Sequence, residues 1–321
     1  MKGAADLQRR PQAVMLSKRA NVFYIEHAKV VLLDDRIVYL TQDFNNRESA
    51  QPYFNIPERN TAFLLLGKGT SITDAAARRL AESNVMIGFC GSGGSPLFGA
   101  VDISFLSPQS EYRPTEYMQR WMKIWLDDGT RLLAAKALLN ERVDLTIRVW
   151  GSDAALLKAG VAIPSQLTDG FKAEISTATT AQQLLLAEAR WAKALYALLS
   201  RGLKFDFVRN EGARKTETRS DIVNGLLDHG NYIAYGYAAV TLCGLGISFA
   251  LPVLHGKTRR GALVFDIADL IKDAYVMPLA FLSAKSGDRT RDFRAALIER
   301  CQDQEVLDHL FTFVSQLCEK S

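Results

Sequence analysis

Residues 255–273 read HGKTRRGALVFDIADLIKD, and this run carries most of what the chain indicates about its fold and its chemistry. It contains one imidazole, four basic side chains and three carboxylates. Divalent hard cations take oxygen and imidazole ligands, whereas phosphate groups are bound by Lys and Arg. The mixture is typical of a site that binds a metal ion and a phosphodiester together.

The three carboxylates of this run are spaced to share one face of a helix. Asp266, Asp269 and Asp273 lie three and four residues apart, beside an apolar face. An isolated stripe of this kind more often marks a solvated acidic surface near a helix N-terminus. The preceding His255 and its basic neighbours weaken that interpretation in favour of a metal site.

A further carboxylate interrupts the strongest helix signal of the chain. Residues 180–200 read TAQQLLLAEARWAKALYALLS, and Glu188 falls on the apolar stripe formed by Leu184, Trp191 and Leu195. Glu is almost never fully buried without a partner. Two interpretations stay open, namely an ion pair with an arginine at the edge of the core and a metal ligand.

Glu188, His255 and Asp269 together would supply an oxygen, a nitrogen and an oxygen, a set that suits Mg2+ or Mn2+. Asp266 would be either a fourth ligand, directly or through water, or the group that orients His255. Without its acidic neighbours, His255 would more often be a structural histidine. The basic side chains predicted to bind DNA phosphates are Lys257, Arg259, Arg260 and Lys272, together with Arg214 and Lys215.

Composition indicates a globular protein of two domains. The chain has 321 residues, of which 48% are hydrophobic and 23% charged. A net charge of +4 permits a nucleic-acid partner without arguing for one. Basic residues cluster at 209–219 and 285–294, although solvated loops would explain either cluster alone.

The chain is expected to be cytoplasmic. Its four cysteines are far apart and lack a Cys-x-x-Cys pair, which favours reduced thiols without a disulfide or zinc. The N-terminus lacks the apolar segment of a signal peptide. Residues 230–254 carry no charge, but their Gly, Tyr and Pro content favours a core helix and a turn over a membrane span.

The predicted fold class is α+β. Residues 1–106 form a β-rich N-terminal domain, 107–115 a linker with two prolines, and 116–321 a helical domain. Strands are predicted at 22–25, 30–40, 61–66 and 85–89, with a hairpin turn at Asp34 and Asp35. One helix, near 71–83, would be capped by Thr70 or Ser71. The glycines of 91–96 match no phosphate-binding motif and indicate a turn.

Beyond the linker, helical periodicity dominates. The predicted helices span residues 116–125, 131–150, 153–159, 181–200, 221–244, 266–284 and 288–320.

A helix glutamate followed at a distance by the 255–273 run resembles the Cas1 family, the CRISPR-associated integrases of spacer acquisition, and in particular its type I-F branch. Shorter segments at 69–82, 85–91, 107–121 and 228–236 also resemble it. The resemblance implies a β-rich domain that pairs two chains and a helical domain with catalytic Glu188, His255, Asp269 and Asp266.

The resemblance further implies a divalent-metal-dependent DNA endonuclease and integrase that inserts spacers into a CRISPR array. Its implied partners are double-stranded DNA, a second copy of the chain, and Cas2, fused in type I-F to the Cas3 helicase-nuclease. Two alternatives stay open: a metal-dependent phosphohydrolase of other substrates and a DNA-binding scaffold without catalysis.

Overall fold

The structure is a computed structural model that describes residues 14–41, 53–90, 104–106, 115–210, 218–256 and 261–319. Within these ranges every β-strand precedes residue 107, and helices dominate from residue 116 onward. The predicted α+β class is therefore confirmed, with a strand-rich N-terminal part and a larger helical part. The predicted turn at 91–96 and all but the last residue of the predicted linker lie outside the described residues.

The described strands form two four-stranded sheets. The first has the order β1-β5-β7-β8 and is parallel except for its β7-β8 pair, whereas the second has the order β4-β3-β2-β6. The strands are β1 Asn21–Ile25, β2 Ala28–Leu33, β3 Arg36–Thr41, β4 Tyr53–Ile56, β5 Thr61–Leu66, β6 Ser71–Ile72, β7 Met86–Phe89 and β8 Ser104–Leu106.

The predicted hairpin is present between β2 and β3. Asp34 and Asp35 are its two loop residues, and both adopt positive φ, at 46° and 59°. A two-residue loop with both residues left-handed matches the twist of the flanking strands, and Asp tolerates that conformation better than most residues.

The helical part is built from ten helices and one π-helical turn within the described ranges. Together with the one α-helix described in the strand-rich part they are α1 Asp74–Glu82, α2 Glu116–Leu126, α3 Asp128–Ser152, α4 Ala154–Lys158, α5 Ser165–Thr177, α6 Ala181–Leu203, α7 Arg219–Gly244, α8 Ala262–Ile271, the π turn Lys272–Val276, α9 Met277–Ser286, α10 Thr290–Asp303 and α11 Val306–Glu319.

Two predictions about helices were wrong in detail, and one helix was missed. Neither Thr70 nor Ser71 caps α1: Ser71–Ile72 pairs with β2 as β6, and Thr73 Oγ1 accepts the cap hydrogen bond from the Ala76 N–H. The single helix predicted at 288–320 is two helices, because the chain turns at Glu305, which has a φ of 47°. Helix α5 was not predicted.

Helix α7 joins the strand-rich and helical parts through one hydrophobic core. Every residue of β5 is buried, and Phe63 of β5 belongs to the same core cluster as Tyr237 and Ala239 of α7. Gly236 permits this contact, because a Cβ there would lie 2.2 Å from Phe63 Cε2. The two sheets and α1 enclose a second, smaller core between them.

The uncharged stretch predicted as a core helix and turn forms most of α7, and 17 residues of that helix are buried. Across the described residues no helix is both long and apolar enough to cross a membrane. All four cysteines lie in the described part, all are buried, and none is joined to another by a disulfide.

Candidate metal and DNA site

Helix α6 places a carboxylate inside the helical core. Thr180 caps the helix by accepting from the Gln183 N–H, which fixes its start one residue later. Leu184 and Trp191 are buried on one stripe, as predicted, and the Glu188 side chain between them is only 13% exposed. The stripe therefore carries a charged group into a region where charge needs a partner.

Three predicted site residues meet at one point. Glu188 of α6, His255 of the segment after α7 and Asp269 of α8 each offer a ligand atom, and these atoms lie within 4.8 Å of one another. His255 Nε2 is 3.8 Å from Asp269 Oδ2. Two carboxylate oxygens and an imidazole nitrogen converging in this way fit a hard divalent cation such as Mg2+ or Mn2+.

Asp266 takes the orienting place rather than a place among the converging ligand atoms. Its carboxylate accepts hydrogen bonds from the backbone N–H groups of Val253, Leu254 and His255, at 2.7, 3.1 and 3.0 Å. Its Oδ1 is also 2.6 Å from His255 Nδ1. Because Nδ1 is engaged there, the ring presents Nε2 to Glu188 and Asp269.

The charge of His255 reflects two opposing effects. Burial lowers its pKa, but the hydrogen bond with Asp266 and the negative charge of Asp269 outweigh burial and raise the pKa above its usual value. In the absence of an ion the imidazole therefore gains a proton more readily than a free histidine does.

The structure also contains the ion pair between Glu188 and an arginine that the sequence left open. Arg142 of α3 donates from Nη1 to Glu188 Oε1, and from Nε and Nη2 to the two oxygens of Asp273, at 2.6 and 3.1 Å. Burial raises the pKa of Glu188, although the Arg142 charge opposes this. Glu188 thus lies between a buried cation and the two other candidate ligands.

The Lys272 side chain is only 18% exposed, and its amine lies in the site. Its Nζ lies 2.7 Å from Asp269 Oδ1 and 4.5 Å from the centre of the Tyr235 ring. Burial raises the pKa of Asp269, but the charges of Lys272 and Arg142 outweigh burial and lower it. The lysine therefore keeps Asp269 ionised and ready to bind a cation.

The three Asp residues of the stripe are all buried, so the alternative of a solvated acidic surface is wrong. Asp273 lies in the π turn, where its carbonyl would accept from the N–H five residues later. That residue is Pro278, which has no N–H. The Trp150 indole N–H donates to the Asp273 carbonyl instead, at 2.9 Å.

Most of the predicted phosphate-binding residues lie outside the described residues. These are Lys257, Arg259 and Arg260, and also Arg214 and Lys215. In the described parts of the basic clusters, Arg209 bonds Asn224 and Asp228. Arg294 is buried, where it pairs with Glu26 and lies 4.0 Å from the Tyr24 ring centre. A solvated loop therefore does not describe Arg294.

The sequence prediction missed Arg142, although the sequence held a signal for it. Leu138, Leu145 and Val149 are buried on the same face of α3 as Arg142. A charged residue at an apolar position was the argument that singled out Glu188, and it applies equally to this arginine.

The comparisons with known proteins agree over nearly the whole chain. The family model for CRISPR associated protein Cas1 matches residues 24–302. The CRISPR-associated endonuclease Cas1 of Pseudomonas aeruginosa (strain UCBPP-PA14) is 43% identical over 97% of this chain and 96% of its own length. Its namesake from Pectobacterium atrosepticum is 42% identical over 96% of this chain and 95% of its own.

Three solved structures share the fold. A TtCas1–DNA complex is 24% identical, with a TM-score of 0.66 over 92% of this chain and 91% of its own. A casposase bound to an integration product is 13% identical, with a TM-score of 0.72 over 94% and 91%. A chain of a Cas6-RT-Cas1–Cas2 complex is 14% identical, with a TM-score of 0.65 over 94% and 35%.

The family model spans most of the described strands and helices, and both bacterial relatives exceed 40% identity over almost the full chain. The family resemblance predicted from the 255–273 run is thereby confirmed. The chain belongs to the CRISPR-associated Cas1 family.

Proposed function

We propose that the protein is a divalent-metal-dependent DNA endonuclease and integrase that inserts new spacers into a CRISPR array. The observation that carries the proposal is the convergence of Glu188, His255 and Asp269 within 4.8 Å in a member of this family. The names of the bacterial relatives support nuclease activity, and their similarity supports the type I-F branch.

Charge supports a divalent ion at this place. The side-chain cluster at this place contains four carboxylates, from Glu188, Asp266, Asp269 and Asp273, and its permanent cations are Arg142 and Lys272. With a neutral imidazole the formal sum is −2, which an ion of charge +2 brings to zero. Burying this net negative charge without an ion is costly, and a proton on His255 would neutralise only half of it.

The chain's own residues have distinct parts in the chemistry. A bound divalent ion would stabilise the charge of the phosphate undergoing displacement. Glu188 and Asp269 would bind it through oxygen and His255 through Nε2. Asp266 orients the imidazole through Nδ1, and Lys272 keeps Asp269 ionised.

The nucleophile is proposed to be a DNA 3′-hydroxyl, with hydrolysis as a side reaction. A site for in-line displacement at phosphorus does not itself distinguish water from a hydroxyl, so positioning of the DNA decides. Lys257, Arg259 and Arg260 follow His255 directly, and Arg214 and Lys215 precede α7. We assign phosphate binding to these residues and to Lys272 at the site itself.

The proposed partners are double-stranded DNA, a second copy of the chain and Cas2, in type I-F as a Cas2–Cas3 fusion. Residues 1–106 are proposed as the dimerising domain, 107–115 as the linker and 116–321 as the catalytic domain. The proposed location of the protein is the cytoplasm. A phosphohydrolase of other substrates and a non-catalytic scaffold are disfavoured by the family and by the converging ligand set, respectively.

Strand transfer tests the proposal directly. With the Cas2-containing partner and Mn2+, the protein should join a duplex with free 3′-hydroxyl ends to a repeat-bearing target, and 2′,3′-dideoxy ends should abolish joining but spare cleavage. Asp269→Ala should lose both reactions because it removes a ligand. Asp144→Ala is the matched control and should keep both joining and cleavage, because Asp144 of α3 is exposed and pairs only with the exposed Lys172 of α5 in the described residues.

Joining of dideoxy ends as efficiently as free ends would refute the 3′-hydroxyl as nucleophile. Full cleavage by folded Asp269→Ala would refute the metal site.

A further inference from the structure

Arg142 is the one strongly buried cation that contacts the candidate ligands from α3. The residue is 5% exposed and lies at the middle of a 25-residue helix. Its Nη1 donates to Glu188 Oε1 and lies 3.9 Å from Asp269 Oδ2. Two of the three groups that would bind a divalent ion therefore face this guanidinium.

The guanidinium is held in place from behind. Asp273 receives two hydrogen bonds from Arg142. The same carboxylate accepts from Trp191 Nε1 at 3.0 Å, and the Asp273 carbonyl accepts from Trp150 Nε1 at 2.9 Å. A planar guanidinium fixed along one edge presents its remaining nitrogen in one direction only, toward Glu188.

A fixed cation beside the ligands has two opposite effects on an ion. It neutralises Glu188 and Asp269 when no ion is present, so the ligands stay together although like charges repel. It also repels an arriving cation and occupies one oxygen of Glu188. At the few ångströms involved, such a charge changes the affinity of a divalent ion by a large factor.

We propose that Arg142 is a resident cation that shares Glu188 with the divalent ion, holding the ligands together in its absence and weakening its binding. The proposal rests on the metal site of the proposed function. Arg142 is thus a positioning residue, because it acts through Glu188 and does not touch the reacting atoms.

Arg142→Met separates this role from a purely structural one. In EDTA the variant should unfold about 5 °C or more below the wild type, because buried carboxylates lose their cation. Its affinity for Mn2+ alone, measured by titration with electron paramagnetic resonance, should be about tenfold tighter or more. Mn2+ should accordingly raise its Tm more than that of the wild type.

Three further variants test whether Arg142 weakens or strengthens the binding of Mn2+. Arg148→Met lies on the same helix but is 60% exposed, and it should leave both the Tm and the Mn2+ affinity unchanged. Asp273→Asn frees the guanidinium to serve Glu188 and Asp269 alone, so Mn2+ should bind more weakly. Arg142→Gln/Asp273→Asn removes the buried pair together and should bind Mn2+ more tightly than Asp273→Asn, also where Arg142→Met fails to fold.

A purely structural arginine predicts weaker or unchanged Mn2+ binding in every Arg142 variant, and that result would overturn the proposal. If the wild type itself does not bind Mn2+, or if Asp269→Ala binds it equally well, the metal site fails and the Arg142 proposal fails with it. Wild-type binding without tightening in the Arg142 variants refutes the role of Arg142 alone.

Discussion

His229 of α7 shows how burial decides the charge of a single side chain. The residue is 9% exposed, and its Nδ1 has no hydrogen-bond partner among the described residues. Burial, and then the charge of Arg294, lower its pKa to about 4. An unfolded histidine titrates near 6.5. The unfolded chain therefore binds the proton first as pH falls, and stability contributed by the neutral ring is lost between about pH 6.5 and 4.

Replacing this histidine should flatten that pH dependence. Between pH 7 and 4.5, His229→Gln should lose roughly 2–3 kcal/mol less unfolding free energy than the wild type does. Urea denaturation at both pH values measures the difference, and His27→Asn, at an exposed position, is the control. Equal losses in His229→Gln and the wild type would contradict a buried neutral ring.

At the same scale, the sequence predicted which residues would meet but not all that surrounds them. Glu188 was found because it is a charged residue on an apolar helix stripe. His255 and Asp269 were found because they belong to a short run that combines an imidazole, carboxylates and basic side chains. Asp273 was expected on a face with Asp266 and Asp269, and it is, but its task of holding Arg142 depends on a contact between residues 131 positions apart. No local pattern encodes such a pair.

Among the elements, the π turn between α8 and α9 depends on a tryptophan from another helix. Pro278 supplies no N–H to the Asp273 carbonyl, and the Trp150 indole supplies the donor. Trp150→Phe keeps most of the ring but leaves a buried carbonyl without its donor. Such a loss destabilises the fold by about 1–3 kcal/mol.

The matched variant is Trp125→Phe, because Trp125 Nε1 is buried without an acceptor among the described residues. Removing that N–H breaks no hydrogen bond, so its urea midpoint should fall less than that of Trp150→Phe. A larger fall in Trp125→Phe would contradict the importance of the indole donor.

Helix bounds were predictable where the periodicity was strong and unreliable where backbone geometry intervened. The starts of α2 and α6 were predicted to the residue. The break at Glu305 and the π turn were not predicted, because neither changes the spacing of apolar residues enough to be detected in the sequence. The helix was predicted to begin near residue 71, but Ser71 belongs to strand β6. The helix therefore begins at Asp74, and the cap is Thr73.

For the whole molecule, pairing of two chains is expected to use the strand-rich part. β4 is one of the two edge strands of its sheet in the described ranges, and Tyr53 and Phe54 on it are 60% and 47% exposed. Large exposed aromatic side chains beside a strand edge favour association.

Light scattering at micromolar concentration should report about twice the mass of 35.6 kDa. Tyr53→Glu/Phe54→Glu should shift the protein toward the monomer, because burying two carboxylates opposes the contact. Leu157→Glu, on exposed α4 of the helical part, is the control and should remain paired. A wild-type monomer at every salt concentration would contradict pairing.

The contact between Phe63 and Gly236 also limits how this chain can be exchanged with its relatives. A cut at the proposed linker would divide the chain into a strand-rich part and a helical part, yet the Phe63 ring of the first fills the space left by the missing side chain of Gly236 in the second. A chimera that brings a larger residue to position 236 would force the ring of position 63 out of the shared core. The two positions must therefore be inherited as a pair, so β5 has to come from the same parent protein as the helical part.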